Sequence, residues 1–499
     1  MTDLGSRDIL IGGGIPSHYT DNRFSPGEWV TLQGKNLGVH TLSIDNIPVE
    51  ITQYYGNQPL FRIPTQLSPR KQHTLTVENR YGKTSTTFDS HHYIVTTDLD
   101  GGTTHLIRTN RKEKGGVEEE WLALPADTKK PIFNLITKDS RYLLLMDIAK
   151  KEETALINNV HSYSIDIHSF HLSAPNIPAR VASHSITLGS SPIDAILNND
   201  GILLVLGKRS LTLVDANNPE NLSTLGHTVL PQNPEGKTTY VDAIFLDDNK
   251  KIAVLETYSN RVILFQVDSS NTLTLIDEIA LLPSKTIALS VDLEASKSDP
   301  NAFWVLEGPN YRLAGSKLAQ TYKKLIKKKQ VSADKRSVHQ LQKVIIKENN
   351  LHLDKVIPTP KEYAVHFSVF GTDGRMYLSG TKTDFLTSDF NKDKTKTVLK
   401  KVKGFLWDSI SFGRIVAIDL DTEISETISS GVGVYYHLID VPDIGPTFSL
   451  LKLGPSFSFP YLTPTWGLGI KSTGTYAKRK MNKRAIFPPY SIGFVDYQY

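Results

Sequence analysis

One short phrase recurs along the chain, and this repetition limits the fold more than any other feature. Each copy is a β-rich run that closes on an aspartate: 162-SYSIDIHS-169, 209-RSLTLVDANNP-219, 261-RVILFQVDSSN-271, 414-RIVAIDLDT-422 and 491-SIGFVDYQ-498. The closing residues are Asp166, Asp215, Asp268, Asp419 and Asp496. Aspartate side chains accept hydrogen bonds from backbone amides just ahead of them. We therefore interpret all five as structural turn residues of equivalent third strands, without a catalytic role.

A second repeated phrase precedes the aspartate strand. In 193-IDAILNNDGILLVL-206 and 241-VDAIFLDDNKKIAVLE-256, two apolar strands flank a polar turn of the kind that hairpins favour. A looser fourth strand follows the aspartate, and Asp166, Asp215 and Asp268 are spaced by 49 and 53 residues. Four antiparallel strands recurring at this spacing predict a β-propeller, with seven blades and six as the alternative. We expect residues 490–499 to close the ring against strands within 91–128.

The first ninety-five residues carry a different pattern. Short alternating strands separated by Gly, Pro and Asn turns predict an immunoglobulin-like β-sandwich. The phrases 25-SPGEWVTLQGKNLG-38, 59-PLFRIP-64 and 73-HTLTVENRYGKTS-85 resemble the IPT/TIG family of immunoglobulin-like domains. This resemblance implies the fold and says little about function. The chain is thus predicted to be all-β, with an IPT/TIG-like domain at 1–95 and a propeller at 96–499.

The propeller segment also carries a family resemblance and two interruptions. The wording 211-LTLVDANNPENL-222 resembles the LVIVP-type and YVTN-type repeats of bacterial propellers, in which a strand ends in Asp and a Pro-containing turn follows. Polar insertions are predicted at about 314–349, part of which has helical spacing, and at 381–404.

No sequence motif of catalysis or of cofactor binding stands out. A nucleophile elbow, a phosphate-binding loop, a zinc-binding histidine pair and a dinucleotide fingerprint are all missing. The sequence therefore predicts no catalytic residue, no metal and no cofactor, although propeller enzymes often draw single residues from several blades. Two basic runs are candidates for anion binding: Lys323, Lys324, Lys327, Lys328, Lys329, Lys478, Arg479, Lys480, Lys483 and Arg484.

Composition narrows the function classes. A net charge of +4 over 499 residues disfavours nucleic acid as a partner, and no apolar run is long enough for a membrane helix. The absence of cysteine excludes disulfides and favours export to the periplasm or cell surface, with the leader absent from this chain and the cytoplasm as the alternative. We expect a non-enzymatic scaffold of a bacterial envelope or surface assembly, binding protein or polysaccharide through propeller loops. The alternative is a propeller enzyme, a hydrolase or lyase acting on sugars or lactones.

Overall fold

The described part of the chain is built from β-strands alone. A computed structural model describes residues 9–13, 23–24, 29–34, 41–55, 58–64, 67, 72–80, 82–90, 93–98, 103–108, 118–122, 131–137, 142–153, 161–171, 179–232, 240–246, 249–257, 259–282, 289–308, 340–360, 363–371, 373–382, 413–431, 434–441, 445–456, 459–472, 475–478 and 491–495. Within these ranges there are strands, turns and bends but no helix, so the all-β prediction is confirmed.

Two sheets form from the first ninety residues. The first has the order β1 (Ile9–Gly13), β3 (Trp29–Gly34), β7 (Gln58–Arg62) and β6 (Ile51–Tyr55). The second has the order β2 (Arg23–Phe24), β9 (Gly82–Ser90), β8 (Gln72–Asn79), β4 (Thr41–Ile44) and β5 (Ile47–Pro48). Alternating residues of β3, β4, β7 and β8 join one hydrophobic cluster that both sheets share, including Val30, Ile44, Phe61 and Val77. The immunoglobulin-like class of this unit stays a prediction.

Seven four-stranded sheets follow among the described strands, and we number them blades one to seven. Blade one contains β10 (Tyr93–Asp98), β11 (Thr103–Arg108), β12 (Glu118–Leu122) and β37 (Ser491–Val495). Blade two contains β13 (Pro131–Ile136), β14 (Tyr142–Glu153), β15 (His161–His171) and β16 (Ala179–Leu188). Blade three contains β17 (Pro192–Leu197), β18 (Ile202–Gly207), β19 (Ser210–Asp215) and β20 (Ser223–Val229).

Blades four to seven keep the same antiparallel order. Blade four contains β21 (Tyr240–Leu246), β22 (Lys251–Glu256), β23 (Arg261–Val267) and β24 (Leu273–Ala280). Blade five contains β25 (Leu289–Ala295), β26 (Ala302–Gly308), β27 (Gln340–Lys347) and β28 (Asn350–Pro358). Blade six contains β29 (Tyr363–Phe370), β30 (Met376–Lys382), β31 (Gly413–Ile418) and β32 (Ser425–Gly431). Blade seven contains β33 (Val434–Val441), β34 (Gly445–Ser456), β35 (Phe459–Ser472) and β36 (Thr475–Lys478).

The innermost strands form a closed ring. In blades two to seven the first strand is innermost, and each of these strands neighbours that of the next blade; β37 lies between β33 and β13. The C-terminal strand β37 pairs with β10, as Thr96 with Ile492, so the predicted closure of the ring is confirmed. Seven sheets in a ring are a β-propeller.

Large side chains between the blades supply the propeller's core. The middle strands β18, β22 and β26 are buried along almost their whole length, because both of their faces pack against neighbouring blades. One hydrophobic cluster spans blades three and four, and another spans blades five and six through Trp304, Phe370 and Met376. Each blade therefore buries its apolar side chains against the next blade.

Two sequence predictions need correction. Residues 491–495 of the phrase at 491–498 form β37, which is the innermost strand of blade one and not a third strand, because ring closure uses this strand there. Residues 340–349, predicted as part of the first insertion, belong to the hairpin of β27 and β28, and residues 381 and 382 end β30. Residues 314–339 and 383–404 of the predicted insertions lie outside the described residues.

Candidate functional site

The innermost strands share a β-bulge that sets their register across the blades. In blades two to six, pairing with the second strand shifts by one residue after Pro131, Pro192, Tyr240, Ser290 and Val365. We call the first residue after this shift the bulge position. Its occupants are Phe133, Asp194, Asp242, Asp292 and Phe367. Three successive blades therefore place an aspartate at one structural position near the propeller axis.

Two of these aspartates join their blade to the next one. The Asp242 carboxylate accepts a hydrogen bond from the backbone amide of Leu293 in blade five at 2.6 Å. The Asp292 carboxylate accepts bonds from the amide and the hydroxyl of Ser368 in blade six at 2.7 and 2.8 Å. In each case the donor amide directly follows the bulge position of the next blade. Both carboxylates are buried and are held by these partners, so they stabilise the ring.

The residue two places after the bulge position breaks the repeat in blade five. We call this the axial position, and it is half-buried in each blade from two to six. The equivalent residues of four blades are apolar: Leu135, Ile196, Ile244 and Val369. Blade five has Glu294 there. A carboxyl that replaces an aliphatic side chain on an innermost strand costs solvation, and such a departure from local consistency is expected at functional sites.

The surroundings of Glu294 disfavour its charged form. Burial is the main cause that raises the pKa of Glu294 well above its usual value, and the carboxylate of Asp292 on the same strand adds to this shift. The ammonium of Lys297, three residues further on, opposes it. A carboxyl with a raised pKa that keeps some contact with solvent can exchange a proton with a bound water or substrate. Glu294 can therefore act as a general base or acid.

A second charged cluster lies in blade four around a fully buried glutamate. Glu256 has 0% exposure, and its carboxylate accepts a bond from the Ser259 amide at 3.0 Å and lies 3.7 Å from the Arg261 guanidinium. Arg261 also pairs with Glu278 at 2.6 Å. Burial raises the pKa of the neighbouring Tyr240, whose hydroxyl donates to the carbonyl of Pro231. Because this acid is closed off and anchors the turn into β23, we assign it a structural role.

Two of the predicted turn aspartates, Asp215 and Asp268, lie at the turn between the third and fourth strands of their blades. Asp215 accepts a bond from the amide of Asn217 at 2.9 Å. Asp268 accepts bonds from the amides of Ser270 and Thr272, both at 2.8 Å. The Ser270 hydroxyl also donates to Asp268 and, as the main cause, lowers the pKa of this carboxyl. Each aspartate follows or ends a third strand and caps the turn into the fourth.

The other three aspartates differ from one another. Asp419 follows β31 and accepts bonds from the amides of Asp421 and Thr422 at 3.0 and 2.9 Å. The turn prediction is wrong for Asp166, which lies inside β15 and accepts a bond from the Ser185 hydroxyl at 2.5 Å, because β15 continues for five residues beyond it. Asp496 lies outside the described residues.

The predicted anion-binding residues cannot be assigned to the site at the axis. Lys478 ends β36, and the other nine lie outside the described residues. Two features mark Glu294, the bulge register of its strand and its place as an acid in an otherwise aliphatic position, and no short sequence motif predicts either of them. A signal was present in the repeated phrases, because Ile196 and Ile244 align with Glu294 once 193-IDAIL-197 and 241-VDAIF-245 are set against 291-VDLEA-295.

Comparisons with known proteins agree on the fold. No family model matches the chain, and no curated protein matches it. Solved structures do, at low sequence identity. A protein from Lactobacillus plantarum has a TM-score of 0.51 and 9% identity, over 81% of this chain and 99% of that chain. A putative 6-phosphogluconolactonase from Bacteroides uniformis has a TM-score of 0.51 and 10% identity, over 81% and 99%. Another, from Bacteroides fragilis, has a TM-score of 0.50 and 11% identity, over 81% and 98%.

These comparisons correct the functional prediction. The propeller prediction is confirmed, since the likeness covers four fifths of the chain. The prediction of a non-enzymatic envelope scaffold is contradicted, because the two Bacteroides neighbours are named as putative 6-phosphogluconolactonases. That prediction depended on the lack of a contiguous catalytic motif, and a ring of blades assembles a site from separate strands. In the part of the chain that the structure describes, no helix could span a membrane.

Proposed function

We propose that the protein is a β-propeller hydrolase that opens the ring of a sugar lactone, with Glu294 as its general base. The observation that carries this proposal is Glu294, the single acid at the axial position of blades two to six, which is aliphatic in the other four of these blades. Support for the substrate class comes from the neighbours named as 6-phosphogluconolactonases, whose propellers match this chain across nearly their full length.

The proposed reaction uses the two protonation states of one carboxyl. Ionised Glu294 takes a proton from a water molecule as the water oxygen bonds to the acyl carbon of the lactone. The protonated carboxyl then gives this proton to the ring oxygen as the acyl carbon–oxygen bond breaks, and a hydroxy acid leaves. A base with a raised pKa suits both halves of this cycle, because proton transfer is most effective when the pKa lies near the working pH.

The test compares two glutamates that differ in position. Ring opening of glucono-1,5-lactone by the purified full chain is followed as acid release, after subtraction of spontaneous hydrolysis. We expect Glu294→Gln to lower kcat by about 10²- to 10⁴-fold, the usual contribution of a general base. Glu423→Gln is the control, since Glu423 is exposed in the turn between β31 and β32 and pairs with Lys355. No acceleration by the natural chain, or full activity in the Glu294 variant, would refute the proposal.

We also propose that residues 1–95 form an immunoglobulin-like domain of the IPT/TIG type. This rests on the resemblance of 25-SPGEWVTLQGKNLG-38 and 73-HTLTVENRYGKTS-85, together with two sheets that share one hydrophobic cluster. The propeller is likewise proposed to be of the LVIVP or YVTN type. An experimental structure of the chain tests both, and a strand order foreign to immunoglobulin folds would remove the first. Export to the periplasm or cell surface remains a proposal that cell fractionation can test.

A further inference from the structure

We propose that Lys297 binds the carbonyl oxygen of the substrate beside Glu294, and that the substrate is an uncharged lactone in preference to a phosphorylated one. The inference rests on the proposed function and deepens it. Its grounds are the position of Lys297, the hydrogen bonds that hold its ammonium group, and the balance of charge around the axial acid.

Lys297 is fixed across a blade boundary. It follows β25 in blade five, and its ammonium donates to the carbonyl oxygens of Phe370 and Gly371 in blade six at 3.0 and 3.2 Å. An ammonium group has three N–H donors, so one remains after these two bonds. Among the described residues no further hydrogen bond or ion pair involves Lys297. The lysine is thus held in one place with a donor to spare.

The ammonium and the Glu294 carboxyl are close enough to interact but are not paired. The positive charge of Lys297 lowers the pKa of Glu294, against the larger effects of burial and Asp292. Within the described residues the two groups form no ion pair within 4.0 Å. A base and a cation that are separated in this way can act on two different reacting groups. Glu294 would take the proton of the attacking water, and Lys297 would contact the carbonyl oxygen of the substrate.

The charge balance favours an uncharged substrate. Asp292 and Glu294 supply two carboxyls, and among the described residues Lys297 is the one cation that shifts the pKa of Glu294. Arg375, whose backbone carbonyl accepts a bond from the Gly371 amide at 2.8 Å, has its guanidinium paired with Asp373 at 2.7 Å and with Glu426 at 3.2 Å. A phosphate monoester would bring about two further negative charges to a place where the described residues supply no surplus positive charge. A neutral lactone carries no charge when it binds, and negative charge develops on its carbonyl oxygen during the reaction.

The role of the lysine follows from where charge develops. When the water oxygen bonds to the acyl carbon, the electron pair of the carbonyl bond moves to its oxygen, and the water proton moves to Glu294. The ammonium of Lys297 stabilises this oxyanion. When the carbonyl re-forms, the ring carbon–oxygen bond breaks and Glu294 returns the proton to the ring oxygen. The product carboxylic acid then releases a proton to solvent.

The experiment measures kcat and KM for glucono-1,5-lactone and for 6-phosphoglucono-1,5-lactone. We expect Lys297→Met to lower kcat by about 10²-fold, as removal of one oxyanion donor does, with KM nearly unchanged. Lys297→Arg should recover part of the rate. Lys355→Met is the matched control, because Lys355 also joins blades five and six through a carbonyl, that of Leu420 at 2.9 Å, but from the outermost strand. The acid limb of the Lys297→Met profile should move to higher pH, since the cation favours ionised Glu294.

The outcomes distinguish a failure of the proposed function from a failure of the proposed role of Lys297. If the natural chain opens neither lactone, the proposed function and this inference fall together. If the natural chain is active, Glu294→Gln is inactive and Lys297→Met equals Lys355→Met, only the role of Lys297 is refuted. A rise in KM confined to the phosphorylated lactone would make Lys297 a phosphate ligand and would overturn the inference. The proposal is upheld by a fall in kcat for the uncharged lactone, a partial recovery with arginine and a shifted acid limb.

Discussion

Removal of the Asp292 carboxylate should loosen the boundary between blades five and six. In the intact ring this carboxylate accepts bonds from the amide and the hydroxyl of Ser368 at 2.7 and 2.8 Å. Both residues are buried, with 5% and 6% exposure, so water does not replace the carboxylate freely. Asp292→Ala therefore leaves a buried amide N–H without its acceptor, while the Ser368 hydroxyl can rotate to another partner.

The size of the effect can be worked out from these two bonds. A hydrogen bond to a charged group contributes about 1.5–3 kcal/mol, and a buried unsatisfied donor costs about 1–3 kcal/mol. Part of this loss is offset, because the variant no longer buries a carboxylate next to Glu294. The net loss in the free energy of unfolding should be about 2–4 kcal/mol. Asp292→Asn keeps an acceptor oxygen and should lose less, and Ser368→Ala should lose about 1 kcal/mol.

Urea unfolding followed by tryptophan fluorescence measures this prediction. Trp304 belongs to the hydrophobic cluster between blades five and six, so it reports on the affected boundary. Asp419→Ala is the control, since Asp419 accepts two backbone amide bonds within its own turn. If Asp292→Ala lowers the urea midpoint no more than Asp419→Ala does, the contact between blades is not stabilising and the reasoning is refuted.

Three further predictions concern the turns and the ring closure. Gly201 has φ of 74°, and an added Cβ would lie 2.4 Å from Asn217 Oδ1 and 2.8 Å from its Cα; Gly374 has φ of 81° but open space around it. Gly201→Ala should thus lower the melting temperature clearly more than Gly374→Ala, and equal losses would contradict this. The lowered pKa of Asp268 means that its turn adds stability above the unfolded value of 3.8 and loses it as pH falls through the folded pKa. The difference in stability between the natural chain and Asp268→Ala should therefore shrink on acidification, and a constant difference would refute it. Deletion of residues 490–499 removes the innermost strand of blade one. It should lower the melting temperature and expand the particle in small-angle scattering, whereas an unchanged profile would show that closure does not depend on this strand.

Local patterns in the sequence were sufficient to predict the blades. The hairpin phrases at 193–206 and 241–256 became the first two strands of blades three and four, as their alternation of apolar runs and turn residues indicates. The closing role of the C-terminus was also predictable, because a ring needs one blade that draws on both ends of the chain. What could not be predicted was the place in the blade of the strand at 491–495. Its wording matches a third strand, but its innermost place depends on long-range pairing with β10.

The position of Glu294 was harder to predict for a physical reason. A bulge adds a residue without altering the local composition, so the phase of 291-VDLEA-295 relative to the axis is visible only from pairing with β26. Before that pairing is known, a glutamate near Asp292 in a polar-looking run is indistinguishable from a solvated edge. The position of Lys297 was equally hard to predict, since the two carbonyl oxygens that it contacts come from a blade about seventy residues away in the chain.

Stability and the proposed chemistry meet on one strand. Asp292 faces blade six and joins the two blades, and Glu294, two residues later, is the acid that departs from the repeat. The aspartate is therefore structural, and at the same time its charge adds to the raised pKa of Glu294. Blades three and four also carry an aspartate at the bulge position, but Ile196 and Ile244 follow at the axial position. An aspartate at the bulge position is therefore a structural feature that three blades share. Blade five is the candidate site because it combines this aspartate with Glu294 and Lys297.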